Sequence, residues 1–425
     1  DVYKRQVIRE KELTQEVVDK YLLPKDFRIV SNQGGNLFHH RRKMSDGEVV
    51  LLVNSDLNES SKGMVQLAGA GVVELNTFSG KVVDYPNSRS SENVKFDYEL
   101  SPGGHLLVYV FEKKHHSYQS SPVTTQREYI MPVSPLKINP LADNVLVVDF
   151  CDLELADSVH KDIHIYEADQ KVFKHFGFPE GNPWGTAIQY KKNIVERDIN
   201  KHEGFKLTYH FQFDNLFNVS TADWKIVIER SNLYSIAING IEVSNQTNEW
   251  WLDRDFCVLP LGKYICNGVN SLTLSIDSMN LDAEPAPIYV LGDFKLLSAE
   301  HGWKMVGLNN KIELGSWRVQ GSPFYADAVT YEQSFQVPYC ENMGYEVQLG
   351  KWNGTVSEVL VNGVSAGIIA FKPYTLDVSK LIRPGINQIS VKVVGSNKNL
   401  FGPFHNESSI GFVTPNLYKG TVNYP

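Results

Sequence analysis

The sequence predicts an all-β protein: a small antiparallel β-domain, then two tandem β-sandwiches, with one short helix at the N-terminus. Three observations carry this expectation. From Phe38 onward apolar residues recur with period two between Gly, Pro, Asn and Asp turn signals. A strand running into an Asn-Gly turn occurs twice in the C-terminal part, with matching sequence downstream of each copy. The 7 Trp, 20 Tyr and 21 Phe, 11% of 425 residues, suit pleated sheets and also supply flat faces for sugar rings.

Residues 1–6 read as the translation of a sequencing adaptor, so they are set aside from fold reasoning. Residues 7–23 are the one helical stretch, with Val17, Val18, Tyr21 and Leu22 at helical spacing and Pro24 as terminator. Residues 7–27 thus read as the tail of a preceding domain. Strand patterns follow at 49–54, 63–67, 71–75, 81–85, 94–100 and 105–111, punctuated by Asp46-Gly47, Ser79-Gly80 and Pro102-Gly103-Gly104. They define a β-domain over 28–135, whose last part (117–135) is a Ser, Thr and Pro-rich connection. The two sandwiches are expected over 136–300 and 301–425.

The repeat is specific. Residues 236–243, with Asn239-Gly240, match residues 359–364, with Asn362-Gly363; Asn and Gly both tolerate the positive φ that a tight hairpin turn demands. A second asparagine follows each first one, Asn270 and Asn387, after 31 and 25 residues, so the copies differ by six residues in between. Upstream, Phe211 to Phe213 mirrors Phe335 to Val337. Three elements in one order describe a duplicated sandwich.

Composition narrows the function. A net charge of −8, from 41 basic and 49 acidic residues, is spread along the chain without a basic tract, which argues against a nucleic-acid partner. No apolar run approaches the roughly 18 residues of a membrane helix, so no membrane association is expected. Cys151, Cys257, Cys266 and Cys340 form neither a disulfide framework nor a metal-ligand spacing, and Cys257 and Cys266 read as a chance pair of buried thiols. Signatures of serine hydrolases and phosphate loops are absent.

The second copy, from Asn362-Gly363 through Pro373-Tyr374 to Pro384-Gly385-Ile386-Asn387, resembles the galactose-binding-like jelly roll attached to many glycoside hydrolases; the first has Trp250-Trp251 where Pro-Tyr stands in the second. A wider resemblance rests on Phe38-His39-His40-Arg41-Arg42 with residues 47–54, on Gly315-Ser316-Trp317-Arg318-Val319, and on residues 399–406. These are similar to the region after the catalytic barrel in α-L-rhamnosidases of glycoside hydrolase family 106. The resemblance implies a missing N-terminal barrel as intramolecular partner, a polysaccharide substrate, and a periplasmic, cell-surface or secreted location. No residue matches the barrel's carboxylate motif, so no catalytic residue is assigned.

Sugar binding needs an aromatic face and bidentate polar groups. The candidates are Trp184 in a turn-rich segment, Trp250 and Trp251, of which one faces the core and one solvent, and Trp352 in a loop. Trp184 is expected to be the most exposed of the four. Asn399 and His405, with Asn406, flank Gly402-Pro403 and are candidates for a sugar or a structural Ca²⁺ site, although no Asp-rich calcium loop is present and no other cofactor is expected. His39, His40, Arg41 and Arg42 are candidates for a cleft rim. Alternation sends His39 and Arg41 to one face and His40 and Arg42 to the other, and an interdomain salt-bridge set is the competing reading.

The expected function is an accessory region of a glycan-degrading enzyme. A free-standing glycan-binding adhesin and a structural spacer are the alternatives.

Overall fold

The computed structural model describes residues 27–113, 118, 128–184, 191–197, 202–214, 223–299, 302–307, 312–338 and 343–401, with Glu12, Thr14 and Val17 isolated among the N-terminal residues. The 7–23 helix therefore lies almost wholly outside the described residues. The protein is all-β, and its chain divides into two compact units.

The first unit comprises residues 1–131 with 340–352 and 369–380. Two antiparallel sheets build it. One orders the strands Phe27–Gln33, Ser61–Ala68, Asn93–Leu100 and Ser88–Ser90; the other orders Leu37–Lys43, Gly47–Asn54, His105–Phe111, Gly71–Leu75 and Val82–Asp84. Alternation along the strands sends Val65, Leu67, Val94, Phe96 and Leu100 from one sheet, and Val50, Leu52, Val72, Val108 and Val110 from the other, into a shared core. Asn54, fully buried, closes the end of this sandwich. Its Nδ2 donates to Glu59, Leu100 and Ser101 carbonyls, and its Oδ1 accepts from the Asn36 and Asp56 amides. The later segments add the paired strands Glu346–Gln348 and Thr375–Asp377. Phe371 meets Phe78 at 5.3 Å between ring centroids, and Lys372 Nζ donates to the Leu57 carbonyl at 3.1 Å.

The second unit comprises residues 132–339, 353–368 and 381–425. Its main core lies between a sheet ordered Asn144–Val148, Ile288–Gly292, Lys225–Glu229, Asp253–Pro260, Trp250–Trp251 and a larger sheet centred on Phe205–Phe213 and Gly268–Ile276. Trp224 stacks on Phe294 at 5.4 Å and meets Phe213 edge-on at 5.0 Å in that core. A third sheet orders Lys137–Pro140, Ala328–Val337, Gly385–Val394, Val356–Val361 and Val364–Ile369.

The duplicated motif repeats atom by atom. Asn239 and Gly240 have φ of 50° and 77°, Asn362 and Gly363 51° and 80°, as a two-residue hairpin turn of mirror-image type requires. In each copy the first asparagine's Nδ2 donates to the Oδ1 of the second, Asn239 to Asn270 at 2.7 Å and Asn362 to Asn387 at 3.0 Å. Its Oδ1 accepts the amide of the next residue, Ser271 or Gln388. The second asparagine, buried in both copies, donates to Cys266 and Gly268 carbonyls in one and to Arg383 and Gly385 carbonyls in the other. The spacings of 31 and 25 residues thus bring the same two amides together, and the six extra residues fall in the connection between them.

A helix at Ile165–His175 was not anticipated. Its buried residues Ile165, Ala168, Asp169, Val172 and Phe173 lie at helical spacing, His164 Nδ1 accepts the Tyr166 amide as cap, and Gly177 (φ 94°) follows its end. The signal was present in the sequence, but strands surround it and Asp169 interrupts its apolar stripe. The cysteine expectation also needs correction: Cys257 is half-buried and Cys266 exposed, because each lies where its strand or turn meets solvent, and among the described cysteines only Cys151 is buried. Cys340 lies outside the described residues.

Candidate functional site

Asp169 is buried on the helix's core face, where two side-chain amides meet it. Asn182, in the turn after the helix, donates from Nδ2 to Asp169 Oδ1 at 3.0 Å and to Glu284 Oε2 at 2.7 Å. Gln170 Nε2 donates to Asp169 Oδ2 at 3.1 Å. Gly181 (φ 87°) admits that glutamine: a Cβ there would lie 1.6 Å from Gln170 Oε1. Arg230, itself at φ 47°, reaches Glu284 Oε1 at 3.7 Å, Asp255 Oδ2 at 3.1 Å and the Asp282 carbonyl at 3.0 Å. Trp184 completes the set. Its amide donates to Asn182 Oδ1 and its indole Nε1 to the Leu281 carbonyl at 2.8 Å, which lays the ring beside the loop that carries Glu284.

Burial dominates the electrostatics. Desolvation pushes the Asp169 carboxyl up to about 7, with Glu284 adding to the rise while the Asn182 and Gln170 hydrogen bonds oppose it. Burial likewise raises Glu229, with the negative charge of Glu284 next and Arg230 opposing. The Asn182 amide bridges the Asp169 and Glu284 carboxyls. The solvent-facing groups are Trp184, 37% exposed, and the half-buried Asn182, Arg230 and Glu284. An aromatic face beside an amide, a guanidinium and a carboxylate is suited to holding sugar hydroxyls, with Asp169 as its support.

The other sequence candidates are dispersed. Trp250 is 56% exposed on an edge strand and Trp251 packs on the core against Tyr289 at 5.2 Å, as alternation requires. Trp250, not Trp184, is therefore the more exposed indole, because Trp184's N–H is tied to the Leu281 carbonyl. Trp352 is half-buried against Tyr374, edge-on at 5.5 Å. Asn399 Nδ2 donates to the Tyr325 carbonyl at 2.8 Å, so its amide braces backbone. His405 and Asn406 lie outside the described residues. Among the described residues no group of three His, Cys, Asp or Glu side chains is placed to hold a metal ion.

His39 and Arg41 share one face of the Leu37–Lys43 strand. His39 stacks on Phe27 at 4.7 Å, and the Arg41 guanidinium lies 4.6 Å from the same ring. Arg41 also pairs with buried Glu48 through two contacts of 2.7 and 2.8 Å, within the first unit. Burial, then the positive charge of Arg41, holds the His39 imidazole below its ordinary range. His40 and Arg42 are exposed on the other face.

What sequence reasoning missed is the set around Trp184: Asp169, Asn182, Arg230 and Glu284. A carboxylate on an apolar helix stripe was the one local signal available.

No protein-family model and no curated protein matches the chain. Among solved structures it is similar to a rhamnosidase from a Novosphingobium species, at 13% identity and a TM-score of 0.39, over 96% of this chain and 24% of that one. It is also similar to the Streptomyces avermitilis α-L-rhamnosidase in complex with L-rhamnose, at 14% identity and a TM-score of 0.25, over 87% and 33%. A β-D-mannosidase from Dictyoglomus thermophilum is similar at 8% identity and a TM-score of 0.22, over 61% and 31%. The chain spans about a quarter to a third of the length of these proteins. No helix among the described residues is long and apolar enough to cross a membrane.

Proposed function

We propose that this chain is the accessory, glycan-binding and buttressing region of a glycan-degrading enzyme of α-L-rhamnosidase type. Its parent carries a catalytic barrel before residue 7 and acts on polysaccharide outside the cytoplasm. The motifs around Phe38 to Arg42, Gly315 to Val319 and Asn399 to Asn406 support the enzyme class. The observation that carries glycan binding is the Trp184 ring held beside Asn182, Glu284 and Arg230.

Stacking of a pyranose on such a ring contributes on the order of 1 kcal/mol beyond area burial. Trp184→Ala is therefore expected to weaken retention on the preferred polysaccharide by about five- to tenfold in affinity electrophoresis, while Trp251→Ala instead lowers the melting temperature. If the unmodified chain is not retarded on any polysaccharide, the sandwiches are spacers. Release of sugar from aryl glycosides by the purified chain would overturn the accessory reading.

A further inference from the structure

Two phenylalanines of the first unit face solvent and touch each other. Phe78 is 65% exposed and Phe371 58%, with ring centroids 5.3 Å apart and planes tilted by 43°. His105 adds a third ring, 5.7 Å from Phe78. Leu57, 72% exposed, borders them, and its carbonyl accepts Nζ of Lys372, the neighbour of Phe371, at 3.1 Å. Folding alone gives no reason to bring large apolar side chains from separate segments together in water. Contiguous exposed apolar surface of this kind marks a binding site.

Hydrogen-bonded turns hold both rings in place. Asn76 Oδ1 accepts the Phe78 and Ser79 amides at 3.2 and 2.8 Å. Gly80, at φ 68°, closes this turn by donating its amide to the Asn76 carbonyl at 2.9 Å. The Tyr374 amide donates to the Phe371 carbonyl at 2.9 Å and fixes the second turn. Little ordering is left for a ligand to impose.

The size of the patch and its rim select the occupant. The two rings and Leu57 expose roughly 300–400 Å², well below the roughly 800 Å² that each side of a stable protein interface buries. The rim consists of hydrogen-bonding groups. Thr77 Oγ1 and His105 Nε2 meet at 2.7 Å, and the Lys372 ammonium keeps further N–H groups beside the one it gives to Leu57. Aromatic faces within such a rim suit a sugar chain with flat C–H faces. Pyranoses with equatorial substituents carry axial C–H groups on both faces and, β-linked, form extended chains; an amylose-type chain curves and needs a concave site. We propose that Phe78 and Phe371 form a second glycan site, a stacking platform for extended β-linked glucan chains of cellulose type, with Thr77, His105 and Lys372 at its edge for the hydroxyls. It belongs to the other unit from Trp184 and does not depend on that site.

The test is calorimetric titration of the full chain carrying Trp184→Ala, which silences the other site, with cellohexaose and with maltohexaose. Cellohexaose binds, and maltohexaose binds at least about fivefold more weakly. Adding Phe78→Ala with Phe371→Ala lowers cellohexaose affinity by about tenfold or more, whereas Phe78→Tyr keeps it within about twofold. Should the double alanine variant lose its melting transition, Phe78→Ala alone, on an exposed turn, serves with an expected loss of about fivefold. Absence of cellohexaose binding, equal binding of the two sugars, or affinity retained in a folded variant without the rings overturns the proposal. Self-association in sedimentation that the double variant abolishes also overturns it, and makes the patch a contact for a second copy. None of these outcomes bears on the Trp184 reading, because Trp184 is replaced throughout.

Discussion

Asp169 shows how one side chain links folding to pH. Its ordinary carboxyl value is 3.8, and burial moves it to about 7 in the folded chain. Below about pH 4 the group is protonated in both folded and unfolded chains, so its burial carries no charge penalty. As pH rises from about 4 to about 7 the unfolded chain releases the proton and the folded chain keeps it. Stability therefore falls across this window and levels off above it, with a contribution on the order of a few kcal/mol. Asp169→Asn keeps an acceptor for Asn182 and removes the titration. The variant should melt higher than the parent at about pH 8, with the gap closing towards pH 4, in paired thermal scans. A gap independent of pH would mean that the carboxyl is already ionised in the folded protein.

Among elements, the paired asparagines explain why two hairpins with different connections keep the same geometry. Each second asparagine satisfies two carbonyls and receives the amide of the first, so its loss leaves buried polar groups unpaired. Asn270→Ala and Asn387→Ala should each cost about 1–3 kcal/mol in urea unfolding. Asn239→Gly, which keeps the positive φ, should cost less than Asn270→Ala. In the first unit, the Leu37–Lys43 and Gly47–Asn54 strands are joined by Arg41 and Glu48, both largely shielded. Arg41→Ala strands a buried carboxylate and should destabilise by about 3 kcal/mol, whereas a rim role alone would leave the unfolding midpoint in place. The Arg41–Glu48 pair lies within the first unit.

On the scale of the molecule, chain order and compact units do not coincide. The first unit takes in residues 340–352 and 369–380, which sequence reasoning assigned to the last sandwich. Phe371 on Phe78 and Lys372 on the Leu57 carbonyl are the contacts that an isolated N-terminal piece would lose. A fragment of residues 27–131 should thus unfold at a lower urea concentration than the same segment in the full chain, followed by hydrogen exchange at the Ser61–Ala68 and Asn93–Leu100 strands. Equal protection in fragment and full chain would show that the added segments contribute nothing to the unit.

The amino-acid sequence alone determined the all-β class, the strands at 49–54, 71–75 and 105–111 almost to the residue, and the two Asn-Gly corners. Period-two alternation and positive-φ turns are properties of a few neighbouring residues, and they are legible without knowing what lies opposite. It also determined that Trp250 and Trp251 face opposite ways. Only the tertiary structure decided that Asn182 bridges Asp169 and Glu284, that Trp184 lies on the Leu281 loop, and that Phe371 meets Phe78. Those residues are brought together by sheet order and by a helix inserted among strands, and side chains separated by a hundred residues or more have no local pattern that announces their meeting.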